Sequence, residues 1–182
     1  RILGIDEMEI RKKACAPIGA DHSGKLVQWG KRSMRLRDIE MRYRRISPRS
    51  LRHSDHHRQS WLLRLLPYCP ESFEELTDNC PGCQGKLRWS AARPVGQCDR
   101  DDCEHAKGSI PAVGNELPDR MRESYGFFSM LLSADEQEAA AARAMLHPDL
   151  REIDNPTLID LVFLLADIDR PLGRRANMST FR

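Results

Sequence analysis

CPGCQGKLRWSAARPVGQCDRDDCEH, residues 80–105, holds the densest chemistry in the chain. Two residues separate Cys80 from Cys83, four separate Cys98 from Cys103, and fourteen lie between the pairs. A Cys-x-x-Cys turn rich in Pro and Gly lets backbone amides wrap a metal while both thiolates face it. Four sulfurs make the closed tetrahedral shell that structural zinc prefers. The spacing therefore predicts Zn2+ on Cys80, Cys83, Cys98 and Cys103. The same cysteines have other readings, namely a disulfide pair, free buried thiols, or His105 as fourth ligand in place of Cys103. Gln84-Gly85 supplies a flexible turn, and residues 86–90 alternate as a short strand would. The fold expected around this stretch is α+β: a small zinc-ribbon β-hairpin module with flanking helices and a helical C-terminal half.

Composition bounds the rest. A chain of 182 residues has room for one ordinary domain or two small ones. Its 40% hydrophobic and 31% charged residues describe a globular protein. The longest apolar run, residues 161–166, is far too short for a membrane span. No signal-peptide pattern opens the sequence, and the clustered cysteines fit a reducing compartment, so the expected location is cytoplasmic. The first residue is Arg1 rather than Met, as in a piece of a longer protein.

Charge is unevenly distributed. Residues 31–64 hold eleven Lys/Arg against three Asp/Glu, a local surplus of +8 in a chain of net charge +2. A surplus carried by arginine is the footprint of a phosphate-contacting face, and equally of an arginine-rich solvated surface.

Along the chain, residues 7–15 could start a helix, broken by Pro17 and Gly19. Residues 25–29 read as a strand ending at Gly30. Residues 33–45 fit neither helical nor strand periodicity and are expected to be irregular or briefly helical. Ser54 or Asp55 could cap a short helix that turns Trp61, Leu62 and Leu65 inward, with Trp61 packed on the zinc module. His53, His56 and His57 hint at a second metal site, although solvated histidines are commoner.

Three helices are expected further on. One opens at Leu117-Pro118 and runs through Leu131. A second follows the capping-box pattern at Ser133 to Glu136. The third is capped by Asn155, with Pro156 at its first position, and its Leu158, Leu161, Val162 and Leu165 form an apolar stripe expected to be core. The tail, residues 171–182, reads as an exposed extension, and no repeat of fixed period is evident. The expected division is a basic N-terminal segment with a degenerate first knuckle (1–66), the zinc-ribbon module (67–112) and a helical region (113–182).

Catalytic signatures are sparse. There is no phosphate-cradling Gly-rich loop, no G-x-S-x-G elbow and no H-E-x-x-H helix. A zinc with four protein ligands has no open position for water. Asp99, Asp101, Asp102 and Glu104 could imitate a nuclease cluster but read better as solvated loop carboxylates. The chain is not expected to be an enzyme.

Read as one string, Arg45-Ile46-Ser47-Pro48, His57-Arg58, Trp61, Cys69-Pro70, Cys80-Pro81, Cys83, Cys98 and Cys103 resembles the TniQ family, target-selection proteins of certain bacterial transposons related to TnsD. That family carries an arginine before a first CPxC knuckle, then H-R-x-x-W, CPxH, a second CPxC and a last cysteine pair. The match spans residues 44–105. Ser47 and Ser50 stand where the first knuckle's cysteines would be, and Ser72 where a histidine would be, so the first zinc site reads as lost. The resemblance implies an adaptor that binds DNA or sits on an RNA-guided targeting complex and recruits an AAA+ transposition regulator. Arg44, Arg45, Arg49, Arg52 and Arg58 would then contact phosphates. The rival reading is a zinc-stapled structural or regulatory protein–protein module with no DNA role.

Overall fold

The computed structural model describes residues 26–89, 93–112 and 114–168. The expectations for residues 7–19 and 171–182 lie outside that range. The fold is α+β. Its one two-stranded sheet among the described residues is an antiparallel hairpin of β1 (Leu26–Trp29) and β2 (Arg32–Arg35), pairing Val27 with Met34 and Trp29 with Arg32. Gly30 turns the hairpin with a left-handed φ of 60°, and a Cβ there would collide with the carbonyl of Ala134. β1 matches the sequence expectation; β2 was not expected, while the 3-10 turn after it (Leu36–Asp38) is the brief helical structure allowed for residues 33–45. Met34, the one apolar residue of β2, is fully buried and fixes its inward face.

The ribbon hairpin expected around residues 86–90 is not a ladder. Residues 86–88 are threaded between two neighbours instead: Leu87 N–H donates to the Asp78 carbonyl (2.7 Å), and the Leu87 carbonyl accepts from Arg44 N–H (2.8 Å). Only isolated bridges result, Asn79 with Lys86 and Tyr43 with Arg88.

The three helices expected after residue 113 stand in the expected order, and two short ones, at residues 48–51 and 148–151, were not expected. A short α1 (Pro48–Leu51) is capped by Ser47, whose hydroxyl accepts from Ser50 N–H, with Pro48 at its first position. The helix expected around Trp61 is a 3-10 turn, Gln59–Leu62, that puts Trp61 fully inside. Then come α2 (Asp119–Leu131), α3 (Glu136–Ala144), α4 (Pro148–Arg151) and α5 (Asn155–Ile168). Asp135 caps α3 by accepting from Gln137 and Glu138 N–H. At α5 it is the Asp154 carboxylate, not Asn155, that accepts from Thr157 N–H (2.8 Å). Asn155 is buried, and its Oδ1 accepts from Arg143 (2.7 Å), whose other donors hold the carbonyls of Arg151 and Ile153.

Three apolar cores result. The first joins β1 and β2 to Leu63, Leu66, Leu132 and Ile159, and Trp29 Nε1 donates to the Leu132 carbonyl (2.8 Å). The second gathers Ile46, Trp61, Cys69, Leu87 and Ile110 around Cys80 and Cys98, so Trp61 does pack on the cysteine module. The third, Leu131, Ala142 and Leu158, ties the last helices together. The stripe on α5 is core only at its start. Leu158 is buried and Leu161 half-buried, but Val162 and Leu165 are exposed, as are Phe163 and Leu164. Among the described residues, no element covers that part of the helix.

Candidate metal centre

Each cysteine pair is held by a backbone loop. In the first, Cys80 N–H donates to the Gly85 carbonyl (2.9 Å) and Gln84 N–H returns to the Cys80 carbonyl (2.8 Å). Closing so tight a loop puts Gln84 at a left-handed φ of 56°. In the second, Cys98 N–H donates to the His105 carbonyl (2.9 Å), while Cys103 precedes a 3-10 turn, Glu104–Ala106. Between the two cysteines, Cys103 N–H donates to the Arg100 carbonyl (3.2 Å), a turn that takes up the extra residues of the wider spacing. Arg100 N–H points at Cys98 Sγ (3.5 Å), the amide-to-sulfur contact that stabilises a thiolate.

The loops bring Cys80, Cys83, Cys98 and Cys103 together with all four sulfurs within 4.8 Å of one another, a set that can hold a metal ion. Cys80 Sγ lies 3.5 Å from Cys103 Sγ, and Cys83 Sγ lies 3.6 Å from Cys98 Sγ. A metal at the ~2.3 Å zinc–sulfur distance would set tetrahedral edges of about 3.8 Å, close to both. None of the four is in a disulfide. His105 Nδ1 sits 3.4 Å from Cys80 Sγ. With four sulfurs already converging, His105 occupies the place of an outer hydrogen-bond partner to a ligand. Burial pushes the Cys98 thiol up to about 12, while Cys83 is drawn below its usual value, chiefly by the Gly85 amide. Uneven thiols of this kind gain from a cation that lets all four ionise.

A second loop of the same build precedes this one. Cys69 N–H donates to the Glu74 carbonyl (2.8 Å), Phe73 N–H returns to the Cys69 carbonyl (2.8 Å), and Phe73 has φ 54°. CPESFE (69–74) therefore repeats the hydrogen bonds and the left-handed residue of CPGCQG (80–85), with Ser72 in the place of Cys83. In the sequence, Cys69-Pro70 and Ser72 read as the remnant of a lost first metal site, with no repeat of fixed period; the Cys-Pro pairs eleven residues apart carried that signal. Here polar side chains fill the centre. Ser47 Oγ lies 2.9 Å from Ser72 Oγ and donates to Glu74 Oε2 (2.6 Å), which also accepts from Arg49 N–H (2.9 Å). Cys69 and Glu74 are fully buried.

The remaining predicted groups are dispersed. Arg44, 2% exposed, donates to the Gln97 carbonyl (2.6 Å) and faces Asp99 (3.5 Å). Arg45 donates to the carbonyls of Leu63 and Leu66. Arg49 pairs with Glu116 and Arg58 with Glu71 at the surface, while Arg52 is exposed with no carboxylate partner among the described residues. The three histidines do not converge. His53 and His56 face solvent, whereas His57 is wedged edge-on between Trp61 (5.1 Å) and Trp89 (4.7 Å) and donates from Nε2 to the Arg45 carbonyl. Asp99, Asp101 and Asp102 pair with three different arginines: Arg44, Arg93 and Arg100.

No helix among the described residues is long and apolar enough to cross a membrane. Fold and site together define an α+β protein with a four-cysteine cluster. No family model, curated protein or solved structure matches the chain. The resemblance to TniQ proteins rests on the residue pattern alone.

Proposed function

We propose that this chain is a zinc-stapled adaptor of the TniQ type: it binds DNA or a targeting complex and recruits an AAA+ transposition regulator, contributing binding rather than chemistry. The observation that carries the reading is the paired knuckles. The string pairs a first element (Ser47, Ser50, Cys69, Ser72) with a second (Cys80, Cys83, Cys98, Cys103). Ser47 meets Ser72 beside the first loop, while the four sulfurs of the second converge. Zinc is the metal best suited to four thiolates in a closed shell. Reduced thiols fit a cytoplasmic setting. A second reading, a protein–protein module without a DNA role, draws on the exposed apolar side chains of α5.

Three measurements on the purified chain test the proposal: metal content by elemental analysis, DNA affinity at rising salt, and co-purification with an AAA+ transposition regulator from the same source. The expected result is one zinc per chain, affinity that falls steeply between 50 and 200 mM salt (about a thousand-fold or more if six or more phosphates are neutralised), and co-elution of the regulator. Zinc without DNA or regulator binding would leave only the second reading.

A further inference from the structure

The four sulfurs of the cluster are not equally shielded. Cys80 and Cys98 are buried, whereas Cys83 and Cys103 are half-buried. His105 and Glu104 close the Cys80 side. A Cβ on Gly82 would lie 2.8 Å from both Glu104 Oε1 and His105 Nδ1, and that nitrogen is 3.4 Å from Cys80 Sγ. Cys103 lies on the same side, its sulfur 3.5 Å from that of Cys80.

The Cys83 side is built differently. A Cβ on Gly85 would lie 3.3 Å from Cys83 Sγ and 3.1 Å from Arg100 Cδ, with Arg100 Nη1 at 3.9 Å. The bare glycine therefore leaves the sulfur open, and the exposed Arg100 side chain runs past it with its guanidinium also on Asp102 (3.3 Å). Cys98 Sγ waits 3.6 Å from Cys83 Sγ, near enough for side-chain rotation to close the ~2.05 Å bond of a disulfide. An accessible sulfur beside a cation, with a second sulfur in reach, is the arrangement that peroxides oxidise. The cation stabilises the negative charge that develops on the departing oxygen.

We propose that Cys83 is an oxidation site for hydroperoxides, with Cys98 as its resolving sulfur, and that linking the two switches metal binding off. The Cys83 thiolate attacks one oxygen of hydrogen peroxide and the O–O bond breaks. The departing hydroxide takes a proton and leaves as water, and Cys83 is left as a sulfenic acid. The Cys98 thiolate then attacks the Cys83 sulfur, the S–S bond forms, and the second hydroxide is protonated and leaves as water. The two sulfurs lose two electrons, the peroxide gains them, and two protons are consumed. Only Cys80 and Cys103 then remain as ligands, half the closed shell that structural zinc requires. The inference rests on the zinc reading of the cluster and adds the place at which the bound state is undone.

The test uses the purified full chain, reduced, loaded with zinc and freed of reductant, then treated with excess hydrogen peroxide. Zinc release is followed with a colorimetric chelator against an untreated control. Dimedone traps the first oxidised sulfur, and non-reducing peptide mapping locates the disulfide. The expected result is loss of the bound zinc, dimedone on Cys83, a Cys83–Cys98 disulfide, and recovery of zinc binding after reduction by a thiol. Arg100→Ala keeps the backbone N–H contact to Cys98 Sγ. It should hold zinc as the parent does yet release it about three-fold more slowly, the scale of one nearby charge at a solvated site. Arg100→Lys, which keeps the charge, should restore the parent's rate. Dimedone on Cys103 instead, a Cys80–Cys103 disulfide alone, or zinc retained through the treatment overturns this site and leaves the metal reading standing. A reduced chain that holds no zinc before treatment overturns the metal reading, and the switch with it.

Discussion

Ser47 Oγ lies 2.9 Å from Ser72 Oγ, twenty-five residues away, in the centre of a loop whose hydrogen bonds duplicate those of the Cys80 knuckle. One build thus carries two kinds of centre. At Cys80 to Gly85 the side chains are sulfurs turned toward a common point. At Cys69 to Glu74 the Ser72 hydroxyl meets that of Ser47, which donates to the Glu74 carboxylate, and the same carboxylate holds the first turn of α1 through Arg49 N–H. Hydrogen bonds hold this half together at the place where the second knuckle has its sulfurs.

That makes Glu74 a stability determinant. Glu74→Ala removes the acceptor for both Ser47 Oγ and Arg49 N–H in a fully buried place. The expected loss is about 3 kcal/mol, since hydrogen bonds to a charged group contribute ~1.5–3 kcal/mol each and stranded donors add cost. Glu74→Gln should cost about 1 kcal/mol, because Oε1 has no partner and an amide oxygen can replace Oε2. Urea unfolding of the two variants checks the order; equal losses would show that the carboxylate is not the organising acceptor.

Arg44 and Arg52 should part company in the same assay. Arg44→Ala strands the Gln97 carbonyl and leaves Asp99 with one fewer counter-charge. We expect about 3 kcal/mol of destabilisation, near the low end for breaking a buried pair, since Arg44 Nε is itself unpartnered. Arg52→Ala, at an exposed position, should stay within ~0.5 kcal/mol of the parent.

His57 gives the fold an acid-sensitive point away from the four-cysteine cluster. Burial pulls its pKa down to about 4, against the hydrogen bond to the Arg45 carbonyl and with help from the Arg44 and Arg45 charges. Below its unfolded pKa of ~6.5 the unfolded chain takes up a proton that the folded chain refuses. Stability from this residue is therefore complete above pH 6.5, is lost as the pH falls toward 4, and changes no further below. The full loss is about 3 kcal/mol at ~1.4 kcal/mol per pH unit. His57→Gln, which keeps a donor for the Arg45 carbonyl, should flatten the difference in unfolding free energy between pH 6.5 and 5. An unchanged slope in that variant would mean the acid sensitivity comes from other groups.

Much of this was legible in the sequence, for reasons that differ by residue. Four cysteines at ligand spacing point to a cluster because thiols have few other reasons to pair that way, and the sulfurs do converge. Asp119–Leu131 and Glu136–Ala144 follow from proline and capping residues that act locally. What escaped was set by distant partners. β2 has one apolar residue, and its pairing with β1 shows only once Met34 meets Leu63 and Ile159. Arginine looks the same in sequence whether it faces water or, like Arg44, ends on a buried carbonyl. The α5 stripe has the period of a core face, but the core stops near Leu161. Cys69-Pro70 and Ser72 mark the Cys69 loop in sequence as the remnant of a lost metal site, but that its backbone bonds repeat those of the Cys80 knuckle shows only in the structure.

The metal set itself can be separated from its neighbours by counting ions. Cys103→Ser removes one of four converging sulfurs and should abolish tight zinc binding. Because structural zinc supplies on the order of 10 kcal/mol of folding free energy, it should also loosen the core around Trp61. A chelator should do the same to the parent, seen as a red shift of tryptophan emission. His105→Ala removes only the group 3.4 Å from Cys80 Sγ, so one zinc per chain should remain, held about 10–100-fold more weakly. Cys69→Ser, buried outside the cluster, should leave the stoichiometry at one. If His105→Ala empties the site while Cys103→Ser keeps its zinc, the fourth ligand is the imidazole, and the outer role assigned here to His105 is wrong.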